Sequence, residues 1–592
     1  MNNNYLVTLL LLLAFAANTI GAMADTNKVT SNITSTDTSN VGAFRPIHND
    51  VFWNTADGEP LYSQGGGIFR FADPQTGRER YYWYGVRYSG AIDYRNDPTV
   101  TVEHSMFDAV TCYSSDNLVD WHYEGDVLTR DEADSHGRAG WVGRLGVAYV
   151  RERGCYALFV QHGNRDGAGV LIATSDTPTG RFRWHRRKDM KPVIGTSNTG
   201  DQTVFTDPDT GRSYLVYSYG RGRSRIYVSE IGVRGDSIDL LDCTEVFHGA
   251  SREGNCMFKY RGRYYMCASN IYGWDSSYAY WLMADDIRGP YRPVNDMQVM
   301  RGCESDYAHV SQTGFFVTLR GSREETVVYC GDRWCDFAGN GLGYNQWVPL
   351  SFAADGSPVF NSLSSWTLNA ATGEWRVGCD NNYVLNGSFE ADRRSIPNPV
   401  KPRQEHLLGW QTDILRGRHV SVDDSLSPRL NYMNTRDDRR HVIGEKSLRI
   451  SDREPFARRV SQTVTSTPSV PLPDGRYTLR ARVRRSGRFG RLEMYAESAG
   501  RRKKCAIRPS ATGWTTVSIS GIRVSGGRAE VGFVAEGEAG AQCLIDDVTL
   551  MPTCKVGCAT RRDPTGSSTS SNLICLCVPS HCDNVPRFVT HR

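Results

Sequence analysis

At 592 residues the chain exceeds what one hydrophobic core organises, and two or three domains are expected. A hydrophobic content of 39% with 58 glycines and 29 tyrosines excludes a disordered chain and points to turn-rich β structure. The formal charge of +4 is too small to imply nucleic acid or an anionic membrane as partner.

The chain opens with "MNNNYLVTLLLLLAFAANTIGAMA", one apolar stretch of signal-peptide length followed by the small-residue pattern Ala22-Met23-Ala24. This reads as a secretory signal over 1–24, although the stretch before the apolar run lacks Lys and Arg. The apolar core is short for a membrane span, no second span follows, and no cysteine stands at the cut site for a lipid anchor. A secreted or periplasmic protein is expected. Its 16 cysteines would meet an oxidising compartment, where some pair with a connectivity that sequence leaves open. Residues 25–44, rich in Ser, Thr and Asn, read as a linker.

From there a weak repeat begins. Five times a short alternating strand is followed by a turn and a tyrosine-bearing second strand: "QGGGIFRF" with "RYYWYGV", "GRLGVAYV" with "CYALFVQ", "GDQTVFTD" with "SYLVYSYG", "EGNCMFKY" with "YYMCASN", and "SQTGFFVT" with "TVVYCGD". The second strands begin near 80, 155, 213, 264 and 326, and third strands such as "VLIATSDTPTGRFRW" and "AYWLMADDIRGPY" follow in several units. No comparable run carries a helical period. Blade-sized units of this kind predict a five-bladed β-propeller over 45–379, with a β-sandwich as the alternative.

In a propeller the first strand of each blade lines the axis. The residues heading these strands, Gln64, Gly143-Arg144, Asp201, Glu253 and Gln312, then converge on one funnel. Two carboxylates around an aromatic cleft suit glycoside hydrolysis: one protonates the leaving oxygen while a second group handles water. Trp83, Trp274 and Trp334 lie near the blade motifs as candidate stacking faces for sugar rings. There is no Gly-x-Ser-x-Gly elbow, no His-Glu-x-x-His and no phosphate loop. His48, His104, His136, His162 and His309 lack metal-ligand spacing and read as structural. No metal or cofactor is implied.

The stretches "QGGGIFRF", "YYWYG", "VTCYSSDNLVDWHYEG", "DQTVFTDPDTGRSYLVYS", "EGNCMFKYRGRYYMCASNIYGWD", "SQTGFFV", "YCGDRW" and "YNQWVPL" follow one another in order over about 64–350. In them the first domain resembles glycoside hydrolase family 43, in particular its exo-β-1,3-galactanase-like branch. The resemblance implies that Glu253 is the general acid and that Asp201 tunes and orients it. Most of the family carries a base Asp on the first blade; here that stretch reads Gln64-Gly65-Gly66-Gly67, and the base is missing. The branch also lacks it and is thought to use a fifth-blade glutamine, matched by Gln312, to assist the water. Gln64, Arg144, Trp274, Asp332 and Trp334 are expected to line the sugar site. Gln64 stands where the branch usually has His, while Val86 and "GRLGV" replace stretches that carry sugar-binding glutamates, so galactan and α-L-arabinofuranosyl substrates both stay open.

From Asn381 the character changes: "NNYVLNGSFEADRRS", "GEKSLRIS", "LPDGRYTLRARVR", "TGWTTVSIS" and "CLIDDVTLM" resemble a carbohydrate-binding jelly roll, expected over 380–552. Residues 553–592 hold Cys554, Cys558, Cys575, Cys577 and Cys582 without zinc-site spacing and read as a tail. The expectation is an all-β, monomeric, secreted glycosidase that acts on polysaccharide or oligosaccharide. The competing readings are a non-catalytic carbohydrate-binding propeller and a sialidase-like enzyme, the latter echoed only in "SSDNLVDW".

Overall fold

The computed structural model describes residues 43–553 except 98–101, 103–104, 135–140, 165–166, 295, 336–339, 392–406, 418–428, 432–443, 445 and 510–512. The signal segment, nearly all of the linker, the cysteine-bearing tail from 554, His104 and His136 lie outside the described residues. Among the described residues no helix is long and apolar enough to cross a membrane.

The described chain is all-β, with only short helical turns. Up to residue 377 it forms five antiparallel sheets of four or five strands consecutive in sequence, besides one three-stranded sheet. The leading strands of the five are β1 (Gln64–Ala72), β2 (Trp141–Val150), β3 (Thr199–Thr206), β4 (Glu253–Tyr260) and β5 (Gln312–Arg320). Each leading strand lies against the next, and β5 returns to lie against β1. Strand Arg45–His48 pairs with Ser365–Leu368, so the start and end of this region share one small sheet.

A strand walled in on both faces favours a continuous apolar run, and β4, buried at every position, has one in Cys256–Phe258. It turns through Arg261-Gly262, whose φ angles of 48° and 79° suit the tight hairpin that brings Arg263–Ser269 back alongside it. Besides Glu253 at its head, the strand carries the charged side chain of Lys259, which is neutralised between sheets by Asp207 at 3.1 Å and Asp209 at 2.8 Å.

Every leading strand carries a register slip at its head: between Gln64 and Gly67, Val142 and Leu145, Thr199 and Gln202, Glu253 and Cys256, and Thr313 and Phe315. Bulges bend a strand and re-aim its side chains. Here they fall at or beside the residues expected to meet at the funnel.

The second region contains two five-stranded antiparallel sheets around a common core that includes Leu448, Ile450, Phe456, Leu479, Phe533 and Ile545. The buried pair Arg333–Glu390, at 3.2 Å, ties it to the first region. The cysteines whose side chains are described are free thiols, so the pairing expected in an oxidising compartment is not seen among them.

Candidate active site

The bulge in β4 fixes the acid. Gly254 sits at φ 62°, and a Cβ there would come within 2.4 Å of the Thr313 carbonyl oxygen, so the backbone passes β5 only because this residue is glycine. The Gly254 N–H is thereby free to donate to Asp201 Oδ2 at 2.7 Å. Next to it, Glu253 Oε1 accepts from Gln312 Nε2 at 2.7 Å. Residues 52 or more positions apart in sequence meet within one hydrogen-bonded network.

Arg144 is the hub of that network. Its Nε donates to Asp201 Oδ2 at 3.0 Å, and its Nη1 to Asp332 Oδ2 at 2.8 Å. Its Nη2 donates to Gln312 Oε1 at 2.7 Å and to the Thr313 carbonyl at 3.2 Å. Asp332 Oδ1 accepts from the Gly65 N–H at 3.0 Å, which anchors the head of β1 to the same cluster. Planar guanidinium geometry lets one cation hold two carboxylates and an amide at fixed angles.

The two acids expected to carry the chemistry are pushed in opposite directions. Burial, with the charge of Asp201 added, raises the Glu253 carboxyl to about 8, against the opposing effects of Arg223, Arg144 and the Gln312 hydrogen bond. Burial also acts to raise Asp201, but Arg144, Arg223 and the Gly254 N–H outweigh it and hold Asp201 below the ordinary range. At neutral pH Glu253 is thus a proton donor and Asp201 an anion, the division of labour that acid catalysis needs. Because Gln312 donates to Oε1, the proton of Glu253 belongs on Oε2, the oxygen left for a leaving group.

Several expected sugar contacts take other positions. Arg144, 5% exposed, spends its donors on protein acceptors and is an internal clamp rather than a new sugar ligand. Asp332 is buried with both oxygens engaged, and burial raises its carboxyl despite Arg144. Gln64 is buried and donates to the Arg333 carbonyl at 2.9 Å. Trp334 is buried beneath Gly65 and Arg144, with Trp274 tilted against it at 5.4 Å, so only the half-buried Trp274 offers a partly open ring.

Trp83 is not a stacking face at all. It is fully buried, with Trp347 and Trp121 at ring distances of 4.8 and 5.2 Å, an aromatic plug between sheets. His162 is buried and its ring pushed down to about 4 by burial, while His309 bonds Asp50 and Ser362; both are structural. Among the described residues no cluster of His, Cys, Asp and Glu has a metal-holding arrangement.

Gln312 joins Arg144 to Glu253 through the two ends of its amide. It orients the acid first; one N–H and one oxygen lone pair remain for a water.

Sequence reasoning missed Arg223. It stands in the turn after Ser213–Tyr219, with Nη2 3.7 Å from Asp201 Oδ1 and Nη1 3.9 Å from Glu253 Oε2. Its signal was the run "YGRGRSR", which has more arginine than a hairpin turn requires.

Residues 92–345 match the model of glycosyl hydrolases family 43. No curated protein matches the sequence. Among solved structures, the chain is similar to an exo-β-1,3-galactanase from Phanerochaete chrysosporium in complex with β-1,3-galactotriose. That structure is 18% identical with a TM-score of 0.48, the alignment covering 86% of this chain and 100% of the other. An exo-β-1,3-galactanase from Clostridium thermocellum is 21% identical with a TM-score of 0.48, over 73% of this chain and 85% of the other. The family match over residues 92–345, on a domain that opposes a raised and a lowered carboxyl, makes this protein a glycoside hydrolase.

Proposed function

We propose that residues 45–379 form a five-bladed β-propeller bearing an inverting exo-glycosidase site for galactan- or arabinogalactan-type polysaccharide. Residues 380–552 would be a carbohydrate-binding jelly roll, and the protein would be secreted after removal of 1–24. The observation that carries the reading is the Asp201–Arg144–Gln312–Glu253 network, which holds one carboxyl protonated beside another kept ionised.

Glu253 gives its Oε2 proton to the glycosidic oxygen as the bond to the anomeric carbon breaks. Asp201 keeps that proton in place until then. A water reaches the anomeric carbon from the opposite face, held by the spare amide positions of Gln312, and loses its proton to solvent as the new bond forms. A neutral amide is a weak base, so the burden falls on positioning.

Incubation with β-1,3-galacto-oligosaccharides and arabinogalactan, with identification of the released sugar, tests this reading. Single galactose units released from the chain end are expected; release of arabinose alone transfers the activity to side chains, and internal fragments exclude the exo mode.

A carbohydrate-binding propeller without catalysis is the second reading. It is favoured by the glycine run in β1 and by the full engagement of Asp332, the carboxylate that hydrogen-bonds Gly65. Sugar binding without turnover of any substrate would establish it.

A further inference from the structure

We propose that Arg223 reads an acidic group on the substrate, so that the site prefers a saccharide carrying a carboxylate, such as a hexuronosyl residue beside the scissile bond. The inference rests on the glycosidase reading for its location.

The turn holding Arg223 is strapped in place. The Arg223 carbonyl accepts from the Arg252 N–H at 2.9 Å, the Ser224 carbonyl accepts from the Gly249 N–H at 3.0 Å, and Ser251 Oγ donates to the Gly222 carbonyl. All three straps come from the segment that leads into Glu253. The turn and the acid are therefore fixed to one another.

Within this frame Arg223 adopts φ 52°, a left-handed conformation that costs a non-glycine residue roughly 1 kcal/mol or more. The residue before it, Gly222, is also left-handed at φ 76°. A glycine at position 223 would remove that cost, so the retained side chain needs another explanation.

Among the described residues the guanidinium makes no hydrogen bond to account for it. Both carboxylate contacts, 3.7 and 3.9 Å, lie beyond hydrogen-bond length, and its buried Nε has no partner. A buried, orphaned N–H is costly unless something supplies an acceptor. Yet the side chain is 33% exposed, so its outer nitrogens face solvent at the mouth of the catalytic pair. Arg144, by contrast, already bonds Asp201, Asp332 and Gln312, and Arg252 is paired with Asp296 at 2.9 Å. Arg223 is the arginine of this cluster whose guanidinium has only long ion pairs, to Asp201 and Glu253, and no hydrogen bond among the described residues.

A fork of parallel N–H groups fits a planar pair of oxygens, which a carboxylate provides and a sugar hydroxyl does not. The position also makes an anion useful. A cation 3.9 Å from Glu253 Oε2 works against protonation of the acid, and a bound carboxylate would offset it at the moment the proton is needed.

The test compares β-1,3-galacto-oligosaccharides bearing a hexuronosyl group with the same compounds after reduction of the carboxyl to the alcohol. The native protein is expected to favour the acidic member by about 10-fold or more in kcat/KM, the scale of a charge-assisted hydrogen bond. In Arg223→Gln the ratio should collapse toward one, and in Arg223→Lys, which keeps charge without the fork, it should fall part of the way. Equal kcat/KM for both members in the native protein overturns the inference, as does a preference that survives in Arg223→Gln.

If neither compound is hydrolysed, calorimetry separates the two ideas. Tighter binding of the acidic member, lost in Arg223→Gln, keeps Arg223 as its reader and removes the glycosidase reading. Equal binding removes the role of Arg223.

Discussion

Replacing Asp201 by Asn isolates the electrostatic basis of the proposed catalysis. The Glu253 carboxyl stands at about 8 because it is buried and because Asp201 adds a like charge nearby. Arg223 lies 3.7 Å from Asp201 and 3.9 Å from Glu253, and Asp201 bonds the amide of the residue after Glu253, so the two charges lie within roughly 8 Å of each other. Across such a gap Coulomb's law gives about 2 kcal/mol at an effective dielectric of 20 and about 0.5 kcal/mol in water. One pKa unit corresponds to about 1.4 kcal/mol, so the acid should fall by about one unit.

The sign is fixed by the role. Glu253 works protonated, so activity is present below its pKa and is lost as pH rises through it. In the native protein the alkaline limb should fall near pH 8, and in Asp201→Asn about one unit lower. Loss of Asp201 also leaves Arg144 and Arg223 less neutralised, and both then act on Glu253 in the same direction. The assay is kcat/KM against pH, which reports the free enzyme. An unshifted alkaline limb, in a variant whose thermal unfolding shows an intact fold, would refute the assignment of Asp201.

Glu253→Gln should lose about 10²–10⁴-fold in kcat on natural glycosides while hydrolysing substrates with very good leaving groups far better, as steady-state kinetics on matched substrates would show. Gln312→Ala should lower kcat much more than it raises KM, because both the orientation of the acid and the hold on water are lost in the transition state. Proton NMR of the first product should still show inverted configuration, and retention would demand a nucleophile that the site does not offer. Arg144→Met should lower stability by roughly 3–5 kcal/mol in urea unfolding, because it leaves Asp201 and Asp332 as buried charges without their shared partner.

The proposed catalytic set was legible because it sits where sequence pattern is most informative. Glu253, Asp201 and Gln312 occupy the same place in successive strand-turn-strand units, so recognising the repeat aligned them. The sequence reading headed the fourth leading strand with Glu253, and pairing does run past the bulge to Glu253 opposite Ser269. A bulge leaves no signature in alternation except the glycine, and its cause, close passage of Thr313, is a contact between distant residues. Trp83 was misread for a related reason. Periodicity assigns a side chain to a face but cannot say whether another sheet covers that face. Arg144 was expected beside the two acids, but its three partners come from two other sheets and no local pattern announces them. Arg223 escaped because turns follow no repeat.

The missing base is a matter of backbone as well as of side chain. At Gly66 a Cβ would lie 1.8 Å from the Tyr84 carbonyl oxygen, and at Gly67 it would press on the Phe69 ring at 2.9 Å. At Gly65 it would meet Trp334 at 3.4 Å and Arg144 at 3.7 Å, on a residue with φ 64°. Gly66 rejects any side chain without movement of the strand, a side chain at Gly67 would have to displace the Phe69 ring, and the third position would strain an aspartate and set it against the Trp334–Arg144 pair. Restoring an acid here therefore requires the strand to move, the Phe69 ring to shift, or a strained left-handed aspartate, according to the position. Asp332 already bonds the Gly65 N–H with one oxygen and Arg144 with the other, so it stabilises this closed arrangement rather than serving as a substitute base. A water at the anomeric carbon has then to be held from another strand, and Gln312 is the residue that touches the acid and has hydrogen-bonding capacity to spare. The strand head that excludes a base is the physical reason to look for water positioning on β5.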